Sequence, residues 1–193
     1  MHFDFGVKSL PNYADFVIYD NFFLPHETQK ILALWDNEQS IKATVDGEQA
    51  YKDELRQSTV HFLENNETHQ WIYDRLSMLA QTTNAQRFGF ELNGFYQELQ
   101  LTRYTENDFF EWHMDFGANE IAHRKLSLTV QLSEPDEYEG GDLQFMVNQN
   151  IVSAPRTKGT VIVFPSFVMH RVTPITSGTR HSIVGWAAGP PYR

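Results

Sequence analysis

Seven short β-rich segments crowd the second half of the chain, each bounded by Gly, Pro, Asn or Asp, and this spacing most narrows the folds open to it. They fall at 96–104, 109–115, 125–132, 142–147, 159–164, 168–173 and 180–187. Before residue 88 or so the pattern differs. Phe16-Val17-Ile18-Tyr19 is a compact β-favouring run closed by Asp20-Asn21. Pro25 suits a first helical turn, and Ile31, Leu32, Leu34 and Trp35 lie on one helical face. Short strand-like pieces over 41–62 surround a polar, exposed Asp46-Gly47-Glu48. Asn65 or Asn66 then caps a second helix carrying Ile72, Leu76, Leu79 and Ala80 at helical spacing. Two helices ahead of seven or eight strands predict an α+β, mainly β chain, a sandwich or barrel with N-terminal helices packed outside. Repeats, low-complexity tracts and long linkers are absent from the sequence. The expectation is one domain over 1–193, with 1–87 as helical and strand support and 88–193 as the β core.

Composition removes several function classes. The 193 residues are 41% hydrophobic, 14% aromatic and 21% charged, too apolar for intrinsic disorder. A net charge of −10 argues against a dedicated nucleic-acid binder, which needs concentrated Lys and Arg. With no cysteine there is no disulfide framework, thiolate metal site or thiol nucleophile, so metal chemistry must use the eight histidines with carboxylates. The N-terminus lacks the basic start and apolar stretch of a signal peptide, and apolar runs such as Val161 to Phe164 are strand-sized. A soluble, cytoplasmic protein with no membrane partner is expected; the sequence leaves its oligomeric state open.

Strand parity carries more. From Lys125 to Leu132, apolar Leu126, Leu128, Val130 and Leu132 alternate with Ser127, Thr129 and Gln131. Such alternation ordinarily places one face on a core and the other in water. In a barrel, the polar face lines a wet interior instead.

His113-Met114-Asp115 puts an imidazole and a carboxylate on one side of a strand, where two ligands of a divalent metal converge. The triplet is common by chance, so its context decides. His170 follows an apolar strand with a stop, Gly159 to Pro165; a histidine so placed is more often a hydrogen-bonded core residue than a ligand. Ten positions on, Arg180 and Ser182 share a face of a strand that ends Ile183-Val184-Gly185-Trp186. An inward guanidinium there is costly without an anion, and its planar fork suits one carboxylate of a dicarboxylate, with Ser182 adding a bond.

An HxD pair, a distant His and an Arg ten residues later resemble the double-stranded β-helix (jelly-roll, cupin-like) oxygenases dependent on Fe(II) and 2-oxoglutarate. The run Tyr104 to Asp115 is similar to the prolyl 4-hydroxylase pattern of a Tyr, a turn, an aromatic and HxD. Arg124 to Ser133, Tyr138 to Leu143, Lys158 to Pro165, His170 to Pro174 and Gly178 to Arg180 resemble the bacterial PKHD-type hydroxylases. Arg56-Gln57-Ser58 and Trp71-Ile72 fall where that family has comparable pieces. Asn107 departs from the family's frequent Gly, but Asn tolerates the left-handed turn.

The resemblance implies that His113, Asp115 and His170 hold Fe(II), leaving three positions for the C1 carboxylate and 2-oxo group of 2-oxoglutarate and for O2. It makes these three the catalytic residues. Arg180 would hold the distal carboxylate, assisted by Ser182 and by Tyr104 with Thr102 from the neighbouring strand, with Gln131 and Thr129 lining the same pocket. On pattern alone Tyr104 is equally a half-buried strand aromatic, and Trp186 packs as core. An intact Asp115 argues for hydroxylation over halogenation, since related halogenases carry a small residue there. The implied reaction hydroxylates an unactivated C–H with release of succinate and CO2, with ascorbate as an accessory reductant. The implied substrate is a prolyl residue in a peptide or protein; the alternatives are a free amino acid or small metabolite, or a silent β-barrel binding module. His181 alternates away from Arg180, His61, His69 and His123 lack a partner motif, and His2 and His26 are expected in solvent. Trp112 fits either core or substrate wall. Glu134 to Glu139 reads as a solvated turn before a Gly140-Gly141 hairpin.

Overall fold

The computed structural model describes residues 13–36, 39–43 and 55–191; Asp46-Gly47-Glu48 and His2 lie outside the described residues. In chain order the elements are β1 (Val17–Tyr19), α1 (Pro25–Leu32), β2 (Ile41–Lys42), β3 (Arg56–Gln57), β4 (Thr59–Leu63) and α2 (Gln70–Thr83). Then follow β5 (Gly94–Phe95), β6 (Leu99–Tyr104), β7 (Phe109–His113), β8 (Arg124–Gln131), β9 (Tyr138–Gly140) and β10 (Leu143–Val147). The last are β11 (Asn150–Ser153), β12 (Val161–Pro165), β13 (His170–Val172), β14 (Ile175–Gly178) and β15 (Arg180–Ala188).

Local chemistry accounts for the helices. Pro25 opens α1, and Glu27 Oε2 reaches back to accept from the Leu24 N–H at 2.8 Å, closing the first turn. Before α2, Asn66 Oδ1 accepts from the N–H groups of Thr68 and His69 at 3.0 and 3.2 Å, so Asn66 caps the leading turn. Ile72, Leu76, Leu79 and Ala80 are buried at the spacing the sequence shows. The helix runs on through a wider turn at Asn84–Phe88 and stops at Gly89, whose left-handed φ of 71° frees it from continuing.

A large antiparallel sheet has the order β1-β12-β8-β15-β6-β4-β2, with β5 also pairing β15; a smaller one has the order β11-β10-β13-β7-β3. β9 and β14 pair separately. One core lies between the helices and the large sheet, where Ile31, Ile72 and Leu76 meet Leu99, Leu101, Leu126, Leu128, Val130 and Ile183. Each such side chain contributes about 1.5–3 kcal/mol on burial. A second core lies between the sheets, where Phe145 of β10 packs edge-on to Phe164 of β12 at 4.8 Å. This is the double-stranded β-helix architecture.

Two expectations fail here. The polar face of β8 is not in water: Ser127, Thr129 and Gln131 are only 0%, 5% and 2% exposed, because the smaller sheet covers that face and turns it into an interior. Gly140-Gly141 is not a hairpin either. β9 pairs with β14 while β10 pairs with β11 and β13, so the two glycines, both at positive φ, pass the chain from one pairing to another. The real hairpin in this region joins β10 to β11 through Asn148 and Gln149, at φ 49° and 67°. Among the described residues no helix is long and apolar enough to cross a membrane.

Candidate active site

β7 and β13 are antiparallel neighbours, and their register sets His113 directly against His170. Asp115 follows two residues after His113, where the chain leaves β7. One ligand atom from each of the three lies within 4.8 Å of the others. His113 Nε2 stands 3.6 Å from Asp115 Oδ1, and His170 Nε2 stands 3.6 Å from Oδ2. Both rings are oriented the same way. Nδ1 of His113 donates to the Glu111 carbonyl at 2.7 Å, and Nδ1 of His170 donates to the Val168 carbonyl at 2.9 Å. Each bond fixes the tautomer and leaves the Nε2 lone pair aimed at the shared centre. Phe110 stacks on His113 at 3.4 Å, and Phe164 closes edge-on over His170 at 4.7 Å.

The electrostatics suit a cation. Burial opposes ionisation of Asp115, but attraction from the two imidazoles and from Arg124 outweighs it and holds the carboxyl well below the usual range. Burial, with a smaller push from His113, drives His170 down to about 4 despite the Asp115 carboxylate, so the ring is neutral near pH 7. Ser127 Oγ donates to Asp115 Oδ2 at 2.6 Å and lies 3.0 Å from Ser166 Oγ. Arg124 Nη1 donates to the Asp115 carbonyl at 3.3 Å. Two imidazoles with Nε2 aimed at one centre and a carboxylate, with the remaining coordination positions open, fit Fe(II).

A pocket of about 420 Å³ runs from this triad to Arg180. Arg180 is 1% exposed, yet no carboxylate lies within ion-pair distance of it among the described residues. Its Nη2 donates to Gln131 Oε1 at 2.9 Å and its Nη1 to Ser182 Oγ at 3.4 Å, while Nε is buried without an acceptor. Such a cation costs several kcal/mol to bury unless an anion joins it. The orphaned donor and the triad at the other end of the pocket fit a small dicarboxylate chelating a metal.

The structure distributes the remaining sequence candidates unevenly. Tyr104 pairs with Arg180 across β6 and β15, lines the pocket and sets its ring 5.5 Å from the guanidinium. Ser182 and Thr129 line the pocket. Gln131 does not: it sits behind Arg180, tied to the Pro155 carbonyl at 2.9 Å. Thr102 occupies the same cross-strand row as Ser182 but is fully covered, its hydroxyl turned to the Gln100 carbonyl at 3.4 Å. Trp186, expected as core, lines the pocket, and Arg124 lies 3.6 Å over its ring. Trp112 carries Arg171 over its ring at 4.7 Å and is outside the pocket lining.

Two roles were not assigned from the sequence. The bond from Ser127 to Asp115 crosses strands, and only the alternation in β8 hinted at it. Arg56 is 8% exposed and lines the pocket beside Phe110; the Arg56-Gln57-Ser58 triplet alone implies no role for it. The other histidines stand apart from the triad. His61 and His181 both pack near Trp35, at 6.4 and 5.9 Å, His123 bonds the Gly189 carbonyl, His69 bonds the Glu64 carbonyl and His26 is exposed.

This double-stranded β-helix thus gathers His, Asp and His, a set able to hold a metal ion, in one pocket with a buried arginine that has no carboxylate partner among the described residues. Residues 99–188, which include all four, match the model of the 2OG-Fe(II) oxygenase superfamily. A PKHD-type hydroxylase of Synechococcus sp. (strain CC9902) is 37% identical over 86 residues, 45% of this chain and 39% of that protein. Another, of Acinetobacter baumannii (strain ATCC 17978), is 39% identical over 92 residues, 45% of this chain and 40% of that protein. The matched segment thus spans about two fifths of the length of these curated relatives. In architecture the chain is similar to a Pseudomonas putida prolyl-4-hydroxylase (TM-score 0.74, 20% identity, 91% of this chain and 93% of that one). It is likewise similar to a Trichoplax adhaerens prolyl hydroxylase solved with a hypoxia inducible factor peptide fragment (TM-score 0.76, 16% identity, 90% and 83%).

Proposed function

We propose that this protein is an Fe(II)- and 2-oxoglutarate-dependent dioxygenase that hydroxylates an unactivated C–H, most readily on a prolyl residue of a peptide or protein. The observation that carries this reading is one pocket with a His113–Asp115–His170 cluster at one end and the carboxylate-less Arg180 at the other. When bound, iron with 2-oxoglutarate and O2 supplies the oxidising chemistry, one oxygen atom entering the substrate C–H and the other succinate, with loss of CO2.

The chain's own residues do the rest. His113, Asp115 and His170 would hold the metal, their orientation set by the Glu111 and Val168 carbonyls and by Ser127. Arg180 would take the distal carboxylate of the keto acid, with Ser182 and Tyr104 beside it and Gln131 holding the guanidinium from behind. Leu143, Val172, Val184 and Trp186 give the pocket a mostly apolar wall that excludes water from the reacting bond. The peptide reading is supported by the likeness to prolyl hydroxylases, one solved with a peptide fragment. Ascorbate would serve as an accessory reductant.

The test is an anaerobic titration of the purified protein with Fe(II) and 2-oxoglutarate, followed by exposure to O2 with a library of proline-containing peptides and amino acids. A visible metal-to-ligand charge-transfer band and a product 16 mass units heavier are expected. No band with folded protein would remove the oxygenase reading; a product only from free amino acids would replace the peptide reading with the metabolite one.

A further inference from the structure

The co-substrate uses one arginine of this pocket, but the pocket is lined by two. Arg56 is more than nine-tenths buried, and among the described residues no carboxylate lies within ion-pair distance of it. Its partners among the described residues are all neutral. Nε donates to Ser58 Oγ at 2.9 Å, Nη2 to Gln100 Oε1 at a long 3.5 Å, and the guanidinium lies 4.7 Å over the Phe110 ring. Phe110 in turn stacks on His113, so Arg56 stands one ring's thickness from the metal cluster. It also lines a second, largely polar cavity of about 490 Å³ with Lys42, Ser58, Thr59 and Asp108. Two cations, Arg56 and Lys42, face one carboxylate, Asp108, whose Oδ2 already accepts from the N–H and hydroxyl of Thr105, so the described lining carries one net positive charge.

In the proposed reaction 2-oxoglutarate brings two carboxylates, one for the metal and one for Arg180. Neither is left for Arg56. A desolvated guanidinium in a binding pocket selects for an acceptor that carries charge, because a neutral acceptor leaves its burial cost standing. We infer that Arg56 is a specificity-determining residue that binds a carboxylate of the substrate close to the hydroxylated carbon. The chemistry has two sources: the α-carboxylate of an amino acid or chain end, or an acidic side chain beside the target residue in a peptide. This inference rests on the oxygenase reading and sharpens its substrate.

Four probes separate the cases: L-proline against L-prolinamide, and a blocked tripeptide with Asp next to proline against the same peptide with Asn. Each is read by perturbation of the anaerobic Fe(II)–2-oxoglutarate charge-transfer band and by the +16 product. The carboxylate member of at least one pair should be favoured about tenfold or more, the size expected for one charge-assisted bond. Which pair discriminates names the source. Arg56→Gln should bring that pair within about twofold of each other, Arg56→Lys should keep part of the preference, and both variants should bind 2-oxoglutarate as tightly as the parent. If the band forms but neither pair discriminates, if Arg56→Gln keeps the preference, or if no probe perturbs the band, the inference is wrong. If the band itself fails to form in folded protein, the oxygenase reading falls instead.

Discussion

Ser127 Oγ donates a 2.6 Å hydrogen bond to Oδ2 of Asp115, from the polar face of β8 to the end of β7. The bond takes one lone pair of Oδ2 and fixes the rotation of the carboxylate between the two imidazoles, whose Nε2 atoms stand 3.6 Å from its two oxygens. Ser127→Ala is therefore expected to weaken Fe(II) affinity about 10–100-fold, the usual effect of losing such support, while the fold persists. Ser127→Thr keeps the hydroxyl and should recover most of the loss. Competition against a coloured chelator measures both, and equal affinities for parent and Ala variant would show that the hydroxyl does not position the ligand.

The metal ligands themselves predict a sharper loss. Removing the carboxylate in Asp115→Ala leaves two imidazoles, too few to retain the metal at micromolar concentration, so succinate formation should cease. Turnover that survived this change would show that the ligand set is wrong.

Stability should depend on pH through two histidines. His170 and His181 both sit near 4, each chiefly because burial disfavours the imidazolium; for His181, Arg103 adds to this. Unfolded, each would titrate near 6.5. Between those values the unfolded chain binds more protons than the folded one, so metal-free stability is full above about 6.5 and falls as pH drops towards 4. Melting temperatures across that window should decline, and His181→Gln should flatten the slope by its own share. An unchanged slope in the variant would mean that His181 is already charged in the folded protein.

Much of this was legible from residue patterns, and the failures have a physical cause. The strand at 125–132 was readable because its alternation is strict, and the helix around Ile72 and Leu76 because its spacing is regular, although its N-cap is His69 and Asn66 caps only the turn that leads into it. The β10–β11 turn was not, because Asn148-Gln149 takes two left-handed residues without the glycine that normally signals them. Parity identified which residues share a face but not what covers it. Hence Ser127 and Trp186, which the smaller sheet encloses in the pocket region, could be read as solvent-facing or as core. Thr102 has the right parity, between Gln100 and Tyr104 of the pocket wall, and still lies outside the lining, because its short side chain is fully covered with its hydroxyl turned to the Gln100 carbonyl.

The passage at Gly140 makes a fold-level prediction. Its φ is +71°, and a Cβ there would lie 2.0 Å from the Pro174 carbonyl oxygen, a backbone atom with nowhere to go. Gly140→Ala combines the left-handed penalty of about 1–2 kcal/mol with that clash. A drop in the denaturant midpoint at unchanged m is the expected result, and a variant as stable as the parent would mean that β9 and β14 do not approach as closely as described.

Arg180 separates stability from function. The folded protein without co-substrate carries the desolvation cost of this guanidinium and offsets it only with neutral groups, Gln131, Ser182 and the Tyr104 ring. Arg180→Met keeps the length and apolar stem of the side chain and removes the charge. The melting temperature of the co-substrate-free variant should therefore equal or exceed that of the parent, since replacing an uncompensated buried charge by a fitting apolar group is neutral or stabilising. The groups that lose a donor are Gln131 Oε1 and Ser182 Oγ, both of which adjoin the vacated space. Binding should move the other way. Without the guanidinium the distal carboxylate of 2-oxoglutarate loses its partner, and its dissociation constant, read from the charge-transfer titration, should rise on the order of 100-fold. Fe(II) affinity should hold, because none of the three ligands touches Arg180. Unchanged 2-oxoglutarate affinity would take Arg180 out of the anchor role, and a collapse in melting temperature would mean that the charge is answered within the fold.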